Sequence, residues 1–112
     1  MTDNKPDTGQ KAEGLAQLER AVEIAPNEPE AVYDIGTILL QEQRFAPAAA
    51  RFEAALKIKP DWAEAHNNLG IALASQGRIA PALIHFERAV ELNPNLADAR
   101  ANRDQARAAL KK

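Results

Sequence analysis

The chain has 112 residues, a length that suits one small domain and leaves no room for two. Hydrophobic residues make up 46% and aromatics only 4%, so the apolar content is chiefly Ala, Leu, Ile and Val, a mixture that favours closely packed helices over a β-sandwich. A net charge of −2 disfavours nucleic-acid binding by bulk positive charge, and the absence of cysteine excludes disulfides, thiolate metal sites and cysteine nucleophiles.

Residues 1–9 are polar and predict a disordered tail without the apolar middle of a signal peptide. No apolar run approaches the roughly 20 residues needed to span a bilayer, so the expected location is cytoplasmic. Beyond the tail, Pro26, Pro60 and Pro94 stand 34 residues apart. Residues 29–62 and 63–96 agree at 12 of 34 positions, among them Gly36 with Gly70, Ala48 with Ala82, and Phe52 with Phe86. The segment from Glu19 to Asn27 matches Glu87 to Asn95 at seven of nine positions, so the stretch before Pro26 repeats only the second half of the unit.

Each half-unit has helical periodicity. Val32, Ile35, Gly36 and Leu39 fall at i, i+3, i+4 and i+7, as do His66, Leu69, Gly70 and Leu73 one unit later. Ala48, Phe52 and Ala55 form the stripe of the second half and recur as Ala82, Phe86 and Ala89. Gly36 and Gly70 are expected to face Ala48 and Ala82, small residue against small. Asn27, Asp61 and Asn95 follow the repeated prolines, each with an acid three residues on (Glu30, Glu64, Asp98), which predicts N-capped helices. Pro47 and Pro81 mark the start of the second helix of each unit. Six helices are predicted, over about 10–25, 28–42, 46–58, 62–76, 80–92 and 96–110.

The unit resembles the tetratricopeptide repeat, a helix–turn–helix of 34 residues. The family's pattern reads here as Val32, Ile35-Gly36, Leu39, Ala48, Phe52, Ala55, Pro60, and again as His66, Leu69-Gly70, Leu73, Ala82, Phe86, Ala89, Pro94. The resemblance implies an all-α fold, a right-handed α-solenoid of antiparallel helix hairpins. It divides the chain into a tail (1–9), a half repeat with the second helix only (10–26), two whole units (27–60 and 61–94) and a C-terminal capping helix (95–112). It also implies that the first helix of each unit lines a concave groove. By position that groove presents Tyr33, Asp34, Thr37 and Gln41, then Asn67, Asn68 and Ile71, then Asn102 and Gln105, with Glu30, Leu40, Ala74, Ser75 and Ala101 beside them. Asn67 and Asn68 are expected to be free amides that grip a peptide backbone, and their removal to leave stability unchanged. Asn68 matches one asparagine of the family's chaperone-type carboxylate clamp, but the clamp's basic positions are Glu30, Glu64, Asp98 or neutral residues here.

The remaining conspicuous residues have both a structural and a functional reading. The ladder of Glu30, Glu64 and Asp98 reads as helix caps rather than an acid–base or metal site. His66 reads as a boundary histidine bonded to a backbone carbonyl, and His85 as solvated. Ser75 lacks any nucleophile-elbow context. Trp62 either staples the two units or stands as an exposed anchor. Arg100, Arg103 and Arg107 replace the apolar stripe of the last helix, as a solvated cap or an anion-binding row, while Ala99, Ala106 and Leu110 are expected to dock it. Leu15, Leu18 and Val22 are expected to face the place of a missing partner helix, which predicts either a homo-oligomer through the N-terminal helix or a native context in which preceding residues complete the repeat.

Together these features predict a non-enzymatic protein-interaction module or scaffold with a protein or peptide partner, without cofactor or metal, and with no nucleic acid and no membrane insertion. The alternatives are a recruiting or regulatory segment of a larger enzyme such as a glycosyltransferase, or a self-assembling structural protein.

Overall fold

The computed structural model describes residues 6–112, with side chains described from residue 12. Six helices follow one another: α1 Pro6–Ile24, α2 Pro29–Gln41, α3 Phe45–Ile58, α4 Ala63–Ser75, α5 Ile79–Leu92 and α6 Ala97–Leu110. Each packs on the next, α2 on α3 and α4 on α5 as the two tightest hairpins, while α2, α4 and α6 also touch in series. The result is an all-α solenoid measuring 50 × 36 × 23 Å. The first helix begins at Pro6, earlier than the predicted start at 10. Of the tail expected over 1–9, residues 6–9 belong to α1 and residues 1–5 lie outside the described residues.

Helix starts differ from the sequence reading by one residue. The N-cap positions are Glu28, Trp62 and Leu96, and none makes a side-chain capping bond. Asn27, Asp61 and Asn95 therefore stand just outside their helices. Glu30, Glu64 and Asp98 lie in the first turn, where their charge favours the positive end of the helix dipole without a capping bond. Asp61 has a stronger partner than its own helix, the Arg88 guanidinium at 3.0 Å. Pro47 and Pro81 sit in the first turns of α3 and α5, where a missing N–H leaves no intrahelical bond unmade.

The turns inside the two hairpins are closed by the same two bonds. Gln43 N–H donates to Leu40 O and Arg44 N–H to Leu39 O, and one repeat later Gly77 N–H donates to Ala74 O and Arg78 N–H to Leu73 O. This double closure needs a left-handed residue after the C-cap, supplied by Gln43 at φ 61° and Gly77 at φ 80°.

The core is one continuous cluster running through both units. Ile35, Phe52, Ala48, Ala55, Ala82 and Ala89 are completely buried. Gly36 and Gly70 face aromatic rings, not the expected alanines. A Cβ at Gly36 would stand 2.8 Å from Phe52 Cε1, and one at Gly70 would overlap Phe86, with Cδ1 at 2.6 Å. Glycine is required because the ring of the second helix occupies the volume that a side chain would take.

The two ends of the array depart from expectation. Leu15, Leu18 and Val22 pack inward against the core cluster instead of facing a missing partner, and Glu19 ties α1 to α3 through Arg51 at 3.2 Å. The apolar stripe on which self-association was expected is thus partly covered within the chain. At the other end Ala99 and Ala106 dock α6 as predicted, whereas Leu110 is 48% exposed. The arginines of α6 are bonded locally: Arg100 to Pro94 O, Arg103 to Asp104 and Arg107 to Glu87 of α5.

The same substitution is expected to act with opposite sign at two glycines. At Gly14, in a helix interior with nothing within 4 Å of a new Cβ, Gly14→Ala should raise stability by about 0.5–1 kcal/mol. Gly70→Ala should lower it, since overpacking costs about 1–3 kcal/mol against a similar propensity gain of about 1 kcal/mol. Urea denaturation of both variants checks the pair, and equal signs would refute the glycine–ring packing.

Candidate functional site

The three first-type helices, α2, α4 and α6, touch in series, and the nine residues singled out from the sequence all lie on them. Polar bonds between these helices repeat in register. Asn68 Nδ2 donates to Tyr33 Oη at 3.0 Å, and Asn102 Nδ2 donates to Asn67 Oδ1 at 3.0 Å. Both bonds link residues 35 apart, one repeat plus one residue, so each is the same rung translated along the array.

These rungs change the role expected of the amides. Asn67 is only 6% exposed and serves as an acceptor for Asn102, so it is a buried strut and not a free surface amide. Its removal would leave the Asn102 amide unpaired, at a cost of about 1–3 kcal/mol rather than none. Asn68 and Asn102 are half-buried and each spends one donor on its rung, which leaves a second N–H and a carbonyl oxygen for other partners.

Tyr33 is also held from several sides. Its ring meets Phe52 at 5.6 Å and stacks on Trp62 at 4.4 Å, and Lys59 Nζ lies over the Trp62 ring, 4.7 Å from its centroid. Trp62 is therefore the staple of its two readings, joining α2 to the start of α4. Burial, reinforced by the carboxylates of Glu64 and Asp34, pushes the Tyr33 hydroxyl above its ordinary value of 10, so it remains a neutral phenol. Thr37 turns its hydroxyl back to Tyr33 O at 3.1 Å. Asp34 and Gln41 are exposed on α2.

Toward the C-terminal end a cleft of about 380 Å³ opens between α4 and α6, floored by α5. Ile71, Asn102 and Gln105 line it together with Ala74, Phe86 and Ala106. The structure thus brings three of the nine candidate residues to one cavity. Tyr33, Asp34, Thr37 and Gln41 lie on α2, outside it, and Asn67 and Asn68 serve the rungs. Among the described residues no three His, Asp or Glu side chains converge as a metal site, and no helix is long and apolar enough to cross a membrane.

A histidine pair escaped the sequence reading. His66 is bonded to a backbone carbonyl as expected, its Nε2 lying 2.8 Å from Pro60 O, but its Nδ1 also meets Nδ1 of His85 at 3.1 Å. The ring centroids are 5.3 Å apart, close to the greatest separation that such a contact allows, so the two nitrogens point at each other. One proton fits between them and two do not. His85 is half-buried rather than solvated, and burial followed by the neighbouring His66 pushes its pKa below 6.5. The only sequence signal is a joint exchange: His66 and His85 take the register positions held by Val32 and Arg51 in the preceding unit.

A family model described as tetratricopeptide repeat matches residues 7–61 and again 33–97. Among solved structures, the first TPR of Spaghetti (RPAP3) bound to HSP90 peptide SRMEEVD superposes with a TM-score of 0.89 at 20% identity, over 95% of this chain and 84% of that one. YrrB, a TPR protein with an unusual peptide-binding site, gives 0.78 at 28% identity, over 88% of this chain and 50% of that one. A MamA double mutant, RS-1 ArsTM, gives 0.86 at 20% identity, over 96% and 60%. This chain therefore spans between half and three-fifths of the latter two. No curated protein matches the sequence significantly.

The histidine pair makes stability pH-dependent. A histidine whose folded pKa lies below its unfolded value binds fewer protons when folded, so its contribution is intact above pH 6.5 and is lost as the pH falls toward the folded value. Thermal melts at pH 8 and pH 5 should show a larger acid loss for the wild type than for His85→Gln. Equal losses would refute the proton-sharing geometry.

Proposed function

Because the chain belongs to the tetratricopeptide-repeat family, we propose that it is a non-enzymatic protein-interaction module that holds an extended peptide or a helical segment of a partner along the face of α2, α4 and α6. The observation that carries this reading is the cleft between α4 and α6, because it opens on the same face as the exposed and half-exposed polar side chains of all three helices. Residues chosen for that face from register alone, Ile71, Asn102 and Gln105, are among those that line it.

The chemistry of the face suits a polypeptide. Asn68 and Asn102 keep free donors and acceptors after forming their rungs, and Gln105 and Gln41 are exposed amides nearby. Side-chain amides can bond both the N–H and the C=O of an extended backbone. Pre-fixing Asn68 and Asn102 through the rungs reduces the entropy lost when a ligand binds. The face has little to attract the phosphates of a nucleic acid, since Glu30, Asp34, Glu64 and Asp98 are its exposed charges. Two of the similar structures bear on this reading: one holds a peptide, and the other, 28% identical, is described by its peptide-binding site.

The test is selective capture. The chain immobilised at low salt should retain a defined set of proteins from a cell extract. The double variant Asp34→Lys/Gln105→Arg, altered at two exposed positions of this face, should lose them. Ile84→Lys on the outer face of α5 should keep them. Loss with Ile84→Lys and retention by the double variant would place the interaction on the outer face and refute the reading.

A further inference from the structure

Building on that reading, we infer that the groove selects a segment of a particular composition: a large aliphatic side chain seated in the α4–α6 cleft and a lysine or arginine about four residues away, over α2. The first half of this inference comes from comparing the two intervals between first helices position by position. Between α2 and α4 the register places Leu40, Ile71 and Phe45 where Ala74, Gln105 and Ile79 stand between α4 and α6. In the first interval Leu40 is packed half-buried against the core. In the second, alanine leaves out most of that side chain, and a cleft of about 380 Å³ stands there with Ala74, Ile79, Phe86 and Ala106 in its walls. The cleft has room for an aliphatic side chain of a ligand, and its apolar walls offer that side chain the kind of packing that Leu40 finds against the core in its own interval. Asn102 and Gln105 at the mouth are placed to bond the backbone on either side of the seated residue.

Charge supplies the second half. Glu30 and Asp34 on α2, Glu64 on α4 and Asp98 on α6 are all exposed, and among the described residues no ion pair engages any of them. The groove positions of the three helices carry no lysine or arginine. The acids are densest on α2, which carries two of the four. Adjacent packed helices lie about 8–10 Å apart, which puts α2 about one and a half spacings from the cleft. An extended chain advances about 3.3–3.6 Å per residue, so the basic side chain falls about four positions from the aliphatic one. Attraction of this kind is screened by salt.

The experiment is the panning of a random 12-residue peptide library, displayed on phage, against the full chain at low salt. The expected winners pair Leu, Ile or Met with Lys or Arg about four positions apart. Synthetic copies should bind Ala74→Leu at least about tenfold more weakly. Asp34→Lys should weaken them as well and lessen the salt dependence. Ala74→Leu restores the residue that the preceding unit carries, so its circular dichroism and melting should match the wild type and exclude misfolding as the cause. Winners that lose affinity on Gln105→Arg but lack the pairing, or that bind Ala74→Leu normally, would overturn this inference while leaving the groove as the binding face. Winners indifferent to every substitution on α2, α4 and α6, or no winners at all, would overturn both readings.

Discussion

The contact between a glycine of one helix and the phenylalanine ring of the next determines much of the rest. At Gly36 and Phe52, and again at Gly70 and Phe86, the ring fills the space where a Cβ would stand. A ring lodged against bare backbone brings the two helices of a hairpin close and fixes where along their length they cross. With the crossing fixed, the small side chains of the alanines at 48, 55, 82 and 89 fill fully buried places. Two hairpins built to one geometry then stack in register, so α2, α4 and α6 present equivalent positions along a single face. The binding surface proposed for this chain is a consequence of that repetition.

On this frame the exceptions to the repeat are the informative residues. Rungs from Tyr33 to Asn68 and from Asn67 to Asn102 keep the register between units while holding side chains of the face in place. Ala74 interrupts the packing that Leu40 completes one unit earlier, and the cleft lies at that interruption. His66 and His85 replace an apolar residue and an arginine, and they introduce a shared proton between α4 and α5. Each departure is confined to one or two positions, which the scaffold tolerates because its own geometry rests on other residues.

The helices and their order were legible because glycine, alanine, phenylalanine and proline recur at a fixed period and each does a job that only its shape permits. Cap positions were misread by one residue because a local rule was applied where tertiary partners compete. Asp61 bonds Arg88 across 27 residues of sequence, and Asn93, not Asn95, uses its side chain locally, accepting from the Asn95 N–H. The direction of Leu15, Leu18 and Val22 was misjudged for a related reason: a helix without its partner still has a neighbour on its other side, and its stripe turned to α2. For the proposed site, register alone named Ile71, Asn102 and Gln105, which line one cleft, along with six residues that do not line it. It did not reveal that Asn67 is buried, because an amide at a groove position looks the same whether its partner is a ligand or the next helix. The 35-residue offset between the two bonded pairs is the pattern from which that could have been read.

The most direct measurement of the account is a side-chain NMR titration of the labelled chain with a peptide that it binds. The amide groups of Asn102 and Gln105 and the methyls of Ile71 and Ala74 should shift together and saturate at one stoichiometric equivalent, while Ile84 on the outer face of α5 stays still. Shifts confined to Ile84 and its neighbours, or to the arginines of α6, with the α4–α6 cleft unmoved, would contradict the claim that this face is where the protein meets its partner.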